Sequence, residues 1–202
     1  MFARKKRAIF LDRDGIINEL RYDPEYGVIE SPLNTAQVRL VFGIVPLLKW
    51  AKKLGYLLII ISNQPNLALA KTSEANFARI SRKIKGLLKK EAVTIDAEYY
   101  CFHHPFAKVK KFRKKCDCRK PGVGLFLEAA KEHDIDLNSS WTIGDGVADV
   151  LAGKAAGCKT MLLANIDAAE NLRIIERQLG DIKPDFIIKK LTDAVPLIKR
   201  SR

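Results

Sequence analysis

Two groups of acidic residues have the types and spacing to work on a phosphate ester. The first is Phe10-Leu11-Asp12-Arg13-Asp14-Gly15, where two carboxylates follow a short apolar run. The second is Gly144-Asp145-Gly146-Val147-Ala148-Asp149, directly after Trp141–Ile143. Carboxylates gathered at the ends of buried segments are costly unless a cation holds them. Such oxygen ligands suit Mg²⁺, which binds few carboxylates and keeps waters for a phosphate. Ser62-Asn63-Gln64 offers a hydroxyl and two amides for phosphoryl oxygens, and Arg119-Lys120-Pro121 offers a cation to neutralise one. Singly, each motif also has an ordinary reading. The acids can be solvated, Asp149 can simply favour a helix N-terminus, and Lys120 can be a surface lysine.

A second chemistry is written in Cys101-Phe102-His103 and Cys116-Asp117-Cys118. Three thiols and an imidazole complete a tetrahedral Cys₃His set, and full ligation leaves no open position, so the site would be structural. The two pairs are tighter than the common Cys-x₂-Cys. The ordinary alternative is buried thiols beside a surface histidine. His103 and His104 are neighbours, and either can supply the fourth ligand. Cys158, between Gly157 and an apolar run, reads as a small buried residue.

These residues need elements to bring them together. Short segments at Ala8–Leu11, Leu57–Ile61, Asp96–Tyr100, Trp141–Ile143, Thr160–Leu163 and Phe186–Ile188 read as strands. Helical spacing appears at about 42–54, from Thr72 or Ser73 to about Lys90, and at about 123–133, 147–156, 168–179 and 191–199. The alternation predicts an α/β fold: a doubly wound, mostly parallel sheet with helices on both faces. Ligands then bind at the carboxyl ends of the strands, the edge where both acidic groups fall. The length fits a single domain, 1–202, with a metal-binding loop at about 101–118.

Asp12-Arg13-Asp14-Gly15, Ser62-Asn63, Lys120 and Gly144-Asp145 with Asp149 occur in the order of the four motifs of the haloacid-dehalogenase-like phosphatases. The chain resembles that superfamily over nearly its whole length. The resemblance implies that Asp12 is the nucleophile and forms an aspartyl-phosphate. Asp14 would protonate the leaving oxygen and then activate water. Mg²⁺ would be held by Asp12, the backbone carbonyl of Asp14 and Asp145, with Asp149 a supporting acid. Ser62 and Lys120 would hold the phosphoryl group, and Arg13, Asn18, Asn63 and Arg119 would face the substrate. The acid role requires Asp14 to have a raised pKa.

Tyr99-Tyr100-Cys101-Phe102-His103-His104-Pro105 and Cys116-Asp117-Cys118-Arg119-Lys120-Pro121 look like the zinc loop of the capless D,D-heptose-1,7-bisphosphate 7-phosphatases. The phosphatase domain of histidinol-phosphatases is similar. The resemblance favours His103 as the ligand and implies a Zn²⁺-shaped loop that carries Arg119 and Lys120 to a small sugar phosphate. The stretch between Gly15 and about Leu40 leaves no room for a large cap domain. Three features depart from the family. Pro65-Asn66-Leu67-Ala68-Leu69-Ala70 stands where it usually reads Ser-Gly-Ile-Ala-Arg-Gly, with Leu69 at the arginine. Ile16 replaces a common Thr, and Glu19–Pro32 is longer than usual.

The formal net charge of +13 is concentrated. Residues 79–90 hold six basic residues and no acid, and residues 108–120 hold eight basic residues and one acid; the rest is balanced. Such charge raises the alternatives of a polynucleotide 3′-phosphatase or a zinc-stabilised nucleic-acid-binding module. Against them, no interleaved aromatic platform is present, and a binding module would leave the acidic motifs unexplained. No apolar run approaches the roughly 20 residues of a membrane span, and Ala8–Leu11 is too short for a signal-peptide core. The expectation is a cytoplasmic monomer acting on a small phosphorylated sugar, with no membrane partner and with nucleic acid left as the alternative that the basic charge raises.

Overall fold

A computed structural model of the protein describes residues 5–25, 27–164 and 169–201. Arg7–Leu11 (β1) is followed by two short strands, Arg21–Asp23 (β2) and Val28–Glu30 (β3), and by helix Ile44–Lys53 (α1). Tyr56–Asn63 (β4), Glu74–Lys90 (α2) and Ala97–Cys101 (β5) come next. After a long loop follow Gly124–His133 (α3), Trp141–Gly144 (β6), Val147–Ala155 (α4) and Lys159–Leu163 (β7). Ala169–Leu179 (α5), Phe186–Ile188 (β8) and Ala194–Arg200 (α6) complete the chain. Residue 168, the expected start of α5, lies outside the described residues.

Six strands form one sheet in the order β5-β4-β1-β6-β7-β8. Every pairing within it is parallel. This is the expected doubly wound sheet, and β1 lies between β4 and β6 in its middle. The chain leaves β1 towards β4 and leaves its neighbour β6 towards β7, and that divergence opens a crevice beyond the carboxyl ends of the strands.

Alternation along β1 explains the two-sided burial. Ile9 and Leu11 join a core with Leu47 and Leu48 of α1 and Ile80, Ile84 and Leu88 of α2. Ala8 and Phe10 face the other way, against Leu125, Phe126 and Ala129 of α3. Successive strand residues point to opposite faces, so both halves of β1 must be apolar. The Phe10 and Phe126 rings lie 5.0 Å apart. In α2, Ile80, Ile84 and Leu88 recur every fourth residue, which puts them on one stripe. Ser73 starts that helix by accepting a hydrogen bond from Asn76 N at 3.2 Å.

The antiparallel pair β2–β3 has no counterpart among the strands expected from sequence. Its strands have three residues each, too few to display a period. It occupies the Glu19–Pro32 stretch and projects beside the carboxyl edge. Among the described residues, no helix is long and apolar enough to cross a membrane.

Candidate active site

β1 ends at Leu11, and the backbone N–H of Asp12 donates to Ile143 O of β6 at 3.1 Å. That bond fixes the start of the first acidic motif against the strand that delivers the second. Asp12, Asp145 and Asp149 converge, each offering a carboxylate oxygen within 4.8 Å of the others. Gly15 makes the approach possible: its φ is +87°, and a Cβ there would stand 1.9 Å from Asp145 Oδ2. Neither that backbone conformation nor that space admits an L side chain.

Lys120 enters this cluster from the long loop. Its Nζ donates to Asp12 Oδ1 at 2.9 Å, to Ile61 O at 2.7 Å and to Asp149 Oδ1. Burial works toward neutral lysine, but the Asp12 and Asp149 carboxylates outweigh it and push the Lys120 pKa up. Asp149 also accepts from Gly146 N at 3.1 Å, which ties it to the start of α4. Asp145 has no such cation of its own among the described residues. Burial, then the charges of Asp12 and Asp149, push its pKa up to about 7. Three carboxylates against one ammonium leave excess negative charge, and a hard divalent cation fits that donor set.

The remaining expected residues turn inward. Asn63 Nδ2 donates to Lys120 O, and Asn63 Oδ1 accepts from Lys120 N, both at 3.0 Å. Its amide therefore holds the lysine's backbone. Arg13 is 2% exposed and Asn18 0%. Arg13 forms a forked contact with Asp14, its Nη2 2.9 Å from Oδ2 and its Nε 3.1 Å from Oδ1. Its guanidinium carbon lies 5.1 Å from the Phe77 ring centre. Asn18 Nδ2 donates to Asp14 Oδ1 at 2.9 Å. Arg13 and Asn18 thus contact the motif's own acid and form a cage around Asp14.

That cage also changes the expectation for Asp14. Burial would raise its pKa, but the charge and hydrogen bonds of Arg13, then Gln64 and Asn18, hold it below the usual carboxylate range. In this arrangement Asp14 is an ionised base and not yet the acid that the first step requires. From sequence, the Gln64 amide was one of the groups at the end of β4 that could bind phosphoryl oxygens. It is buried and bonds to Arg13, Asp14 and Ser62.

Beside Asp145 and Gly15 opens a cleft of about 560 Å³. Tyr22 and Ile29 of the β2–β3 pair, together with Phe42, line it. They are 65%, 69% and 84% exposed, and no sequence signal marked them.

On the other side of the sheet edge, Cys101, His103, Cys116 and Cys118 gather their ligand atoms within 4.8 Å of one another. The Sγ–Sγ separations are 3.2 to 3.7 Å, and His103 Nδ1 is 3.2 Å from Cys118 Sγ. Zinc–thiolate bonds of about 2.3 Å in a tetrahedron require edges of about 3.8 Å, so the donor set fits a zinc ion with small adjustments. His104 is outside the cluster, its Nδ1 accepting from Phe106 N. Arg119 Nη1 donates to His103 O at 3.2 Å, joining the cluster to the loop's approach to Asp12. Gly122 packs onto the same loop, where a Cβ would meet Asp117 O at 2.3 Å.

A central strand that delivers one carboxylate to a buried lysine, with a neighbouring strand adding further acids, defines a haloacid-dehalogenase-like phosphatase. A family model described as HAD-hydrolase-like matches residues 117–194. The chain is 34% identical over 194 residues to the D-glycero-beta-D-manno-heptose-1,7-bisphosphate 7-phosphatase of Pasteurella multocida, covering 96% of this chain and 97% of that one. It is 32% identical over 205 residues to the protein of the same name in Escherichia coli K12, covering 99% and 97%. The protein therefore belongs to the D-glycero-beta-D-manno-heptose-1,7-bisphosphate 7-phosphatase family. Its fold matches a D,D-heptose 1,7-bisphosphate phosphatase from B. bronchiseptica, solved with magnesium and phosphate, with a TM-score of 0.77 at 23% identity over 97% and 99% of the two chains.

Proposed function

We propose that the protein is a Mg²⁺-dependent phosphatase that removes the 7-phosphate of D-glycero-D-manno-heptose 1,7-bisphosphate or of a similar sugar bisphosphate. The observation that carries this is the placement of Lys120 Nζ between Asp12 and Asp149 beside Asp145. It gathers a nucleophile, a fixed cation and further acids at one strand edge. The names of the relatives support the sugar bisphosphate, and the magnesium and phosphate in the structural neighbour support the cation.

An Asp12 carboxylate oxygen attacks phosphorus as the bond to the sugar oxygen breaks. That oxygen takes a proton from Asp14, leaving an aspartyl-phosphate. Water then attacks the same phosphorus, gives its proton to Asp14, and releases phosphate and Asp12. The carboxylate divides one difficult displacement into two easier ones. Asp14 serves as acid when its carboxyl carries a proton, a state that the Arg13, Gln64 and Asn18 contacts oppose until the substrate is bound. Lys120 and Ser62 hold the phosphoryl oxygens, and Asn63 keeps Lys120 in register through its backbone. Asp12, the Asp14 carbonyl and Asp145 would hold Mg²⁺, which supplies positive charge for the transferring group when bound.

Cys101, His103, Cys116 and Cys118 hold a structural Zn²⁺ in a loop at about 101–118 of a single domain. Arg119, on that loop, binds a second anionic group of the substrate. The protein works as a cytoplasmic monomer. A phosphate-release screen with Mg²⁺, covering sugar bisphosphates, histidinol phosphate and 3′-phosphorylated oligonucleotides, tests the reading. Preferred turnover of a sugar bisphosphate is expected. Turnover of only the oligonucleotide would replace it with the nucleic-acid reading that the basic segments first suggested.

A further inference from the structure

Gln64 sits where three parts of the site meet. It is 4% exposed and follows β4 by one residue. Arg13 Nη2 donates to its Oε1 at 2.7 Å. Its Nε2 donates to Asp14 Oδ2 at 2.7 Å and to Ser62 Oγ at 3.0 Å. These partners leave the amide one orientation. A guanidinium has only donors, so the oxygen must face Arg13. A carboxylate accepts, so the nitrogen must face Asp14. The second hydrogen of that nitrogen is then committed to Ser62.

The consequence falls on the serine. Ser62 Oγ is an acceptor from inside the protein, and among the described residues it makes no other hydrogen bond. A hydroxyl has one hydrogen to give. Gln64 has both amide hydrogens placed and its oxygen on Arg13, so it cannot take that hydrogen, which stays free for an acceptor brought to the end of β4. Ile61, the residue before it, already gives its carbonyl to Lys120 Nζ. The hydroxyl and the ammonium are therefore both anchored at the carboxyl end of β4.

We propose that Gln64 is a positioning residue that sets the hydrogen-bond polarity of this edge. It relays the donor character of Arg13 to Ser62, so that Ser62 meets a phosphoryl group as an obligatory donor. The same amide steadies Asp14, which links the group that binds phosphate to the group that moves the proton. The proposal rests on the phosphatase reading of the site but not on which sugar is the substrate.

The test uses the full-length protein with Mg²⁺, inorganic phosphate as the ligand, and p-nitrophenyl phosphate as a substrate that needs no sugar recognition. The Gln64→Glu variant keeps nearly the same side-chain shape but has no N–H to offer, so its carboxylate accepts the Ser62 hydrogen itself. Phosphate Kd and the KM for the ester are expected to rise about tenfold in Gln64→Glu and in Ser62→Ala, the scale of a lost hydrogen bond to a charged group. Gln64→Met, which neither donates nor captures the hydrogen, should weaken phosphate less than Gln64→Glu does. That order is opposite to the one shape alone predicts.

The decisive comparison is the double variant. Ser62→Ala with Gln64→Glu should bind phosphate within about twofold of Ser62→Ala alone, because both changes remove one interaction. Losses that multiply would mean that Gln64 acts by charge or packing and would overturn the proposal. If Gln64→Glu does not fold, the cycle of Ser62→Ala with Gln64→Met reads the same coupling, and multiplied losses there overturn it equally. A wild-type protein that neither binds phosphate nor cleaves the ester overturns the phosphatase reading and this proposal with it.

Discussion

Lys120 Nζ stands 2.9 Å from Asp12 Oδ1 across 108 residues of sequence. The pair joins the end of the central strand to the end of the long loop, and Asp149 closes it from α4. Its chemistry and its stability are therefore one subject. In Lys120→Met, Asp12 and Asp149 lose their cation while Asp149 stays buried. The expected costs are about 10²–10³-fold in kcat/KM and about 3–5 kcal/mol of stability without Mg²⁺. Steady-state kinetics and urea unfolding measure the two. A full-strength enzyme would remove Lys120 from the phosphoryl site.

Asp12→Asn keeps the shape of the nucleophile and still accepts from Lys120. Phosphate release should disappear while the melting temperature moves by only a few degrees. Unchanged turnover would sink the aspartyl-phosphate scheme.

The thiol cluster should carry one zinc ion per chain, read by metal analysis of the purified protein. Cys116→Ser should lose that ion and lower the melting temperature by about 5–10 °C, the scale of a few kcal/mol in a domain of this size. Activity should fall as well, since Arg119 is hydrogen-bonded to His103 O. A zinc-free wild-type protein with full activity would contradict the structural role.

Lys110, Lys114 and Lys115 are exposed on the loop that ends at Lys120, and Lys111 is paired with Glu74. If this charge steers anionic substrates, replacing all four with Gln should raise KM several-fold at low ionic strength and much less at about 0.15 M salt. A KM change independent of salt would argue for direct contact instead.

Asp185 accepts from Thr160 N at 2.6 Å and pairs with Lys154 Nζ at 2.8 Å. Burial opposes the charge, but Lys154 and Thr160 outweigh it and hold the pKa below the ordinary 3.8. A depressed carboxylate adds stability above its unfolded pKa and loses it as pH falls through the folded value. Asp185→Asn should thus melt lower than wild type at pH 6, with the gap narrowing below about pH 4. A gap that stays constant to pH 2 would show that hydrogen-bond geometry, and not ionisation, makes the contribution.

Much of the architecture was legible because it rests on short-range pattern. Continuous apolar runs ending in acids marked β1 and β6, and a capping Thr72 or Ser73 marked the start of α2. The grouping of Cys101, Cys116 and Cys118 with a histidine could be read from ligand number, and the family resemblance favoured His103 over His104. The β2–β3 pair escaped because three residues cannot show a period. Tyr22, Ile29 and Phe42 escaped because exposed apolar residues are common on any surface.

The sequence by itself determined the inventory: which carboxylates, thiols and cations exist, and which strand ends carry them. Only the tertiary structure decided what each one faces. Arg13 and Asn18 read as substrate contacts from their motif, and in the fold both hydrogen-bond Asp14. Asn63 holds the backbone of Lys120, and Gln64 relays a donor to Ser62. The reason is physical. Hydrogen-bond partners inside a core are chosen by sheet register and loop closure, over separations such as the 50 residues between Gln64 and Asp14. Burial then favours a partner for each donor and acceptor brought there. Spacing along the chain carries no record of that pairing.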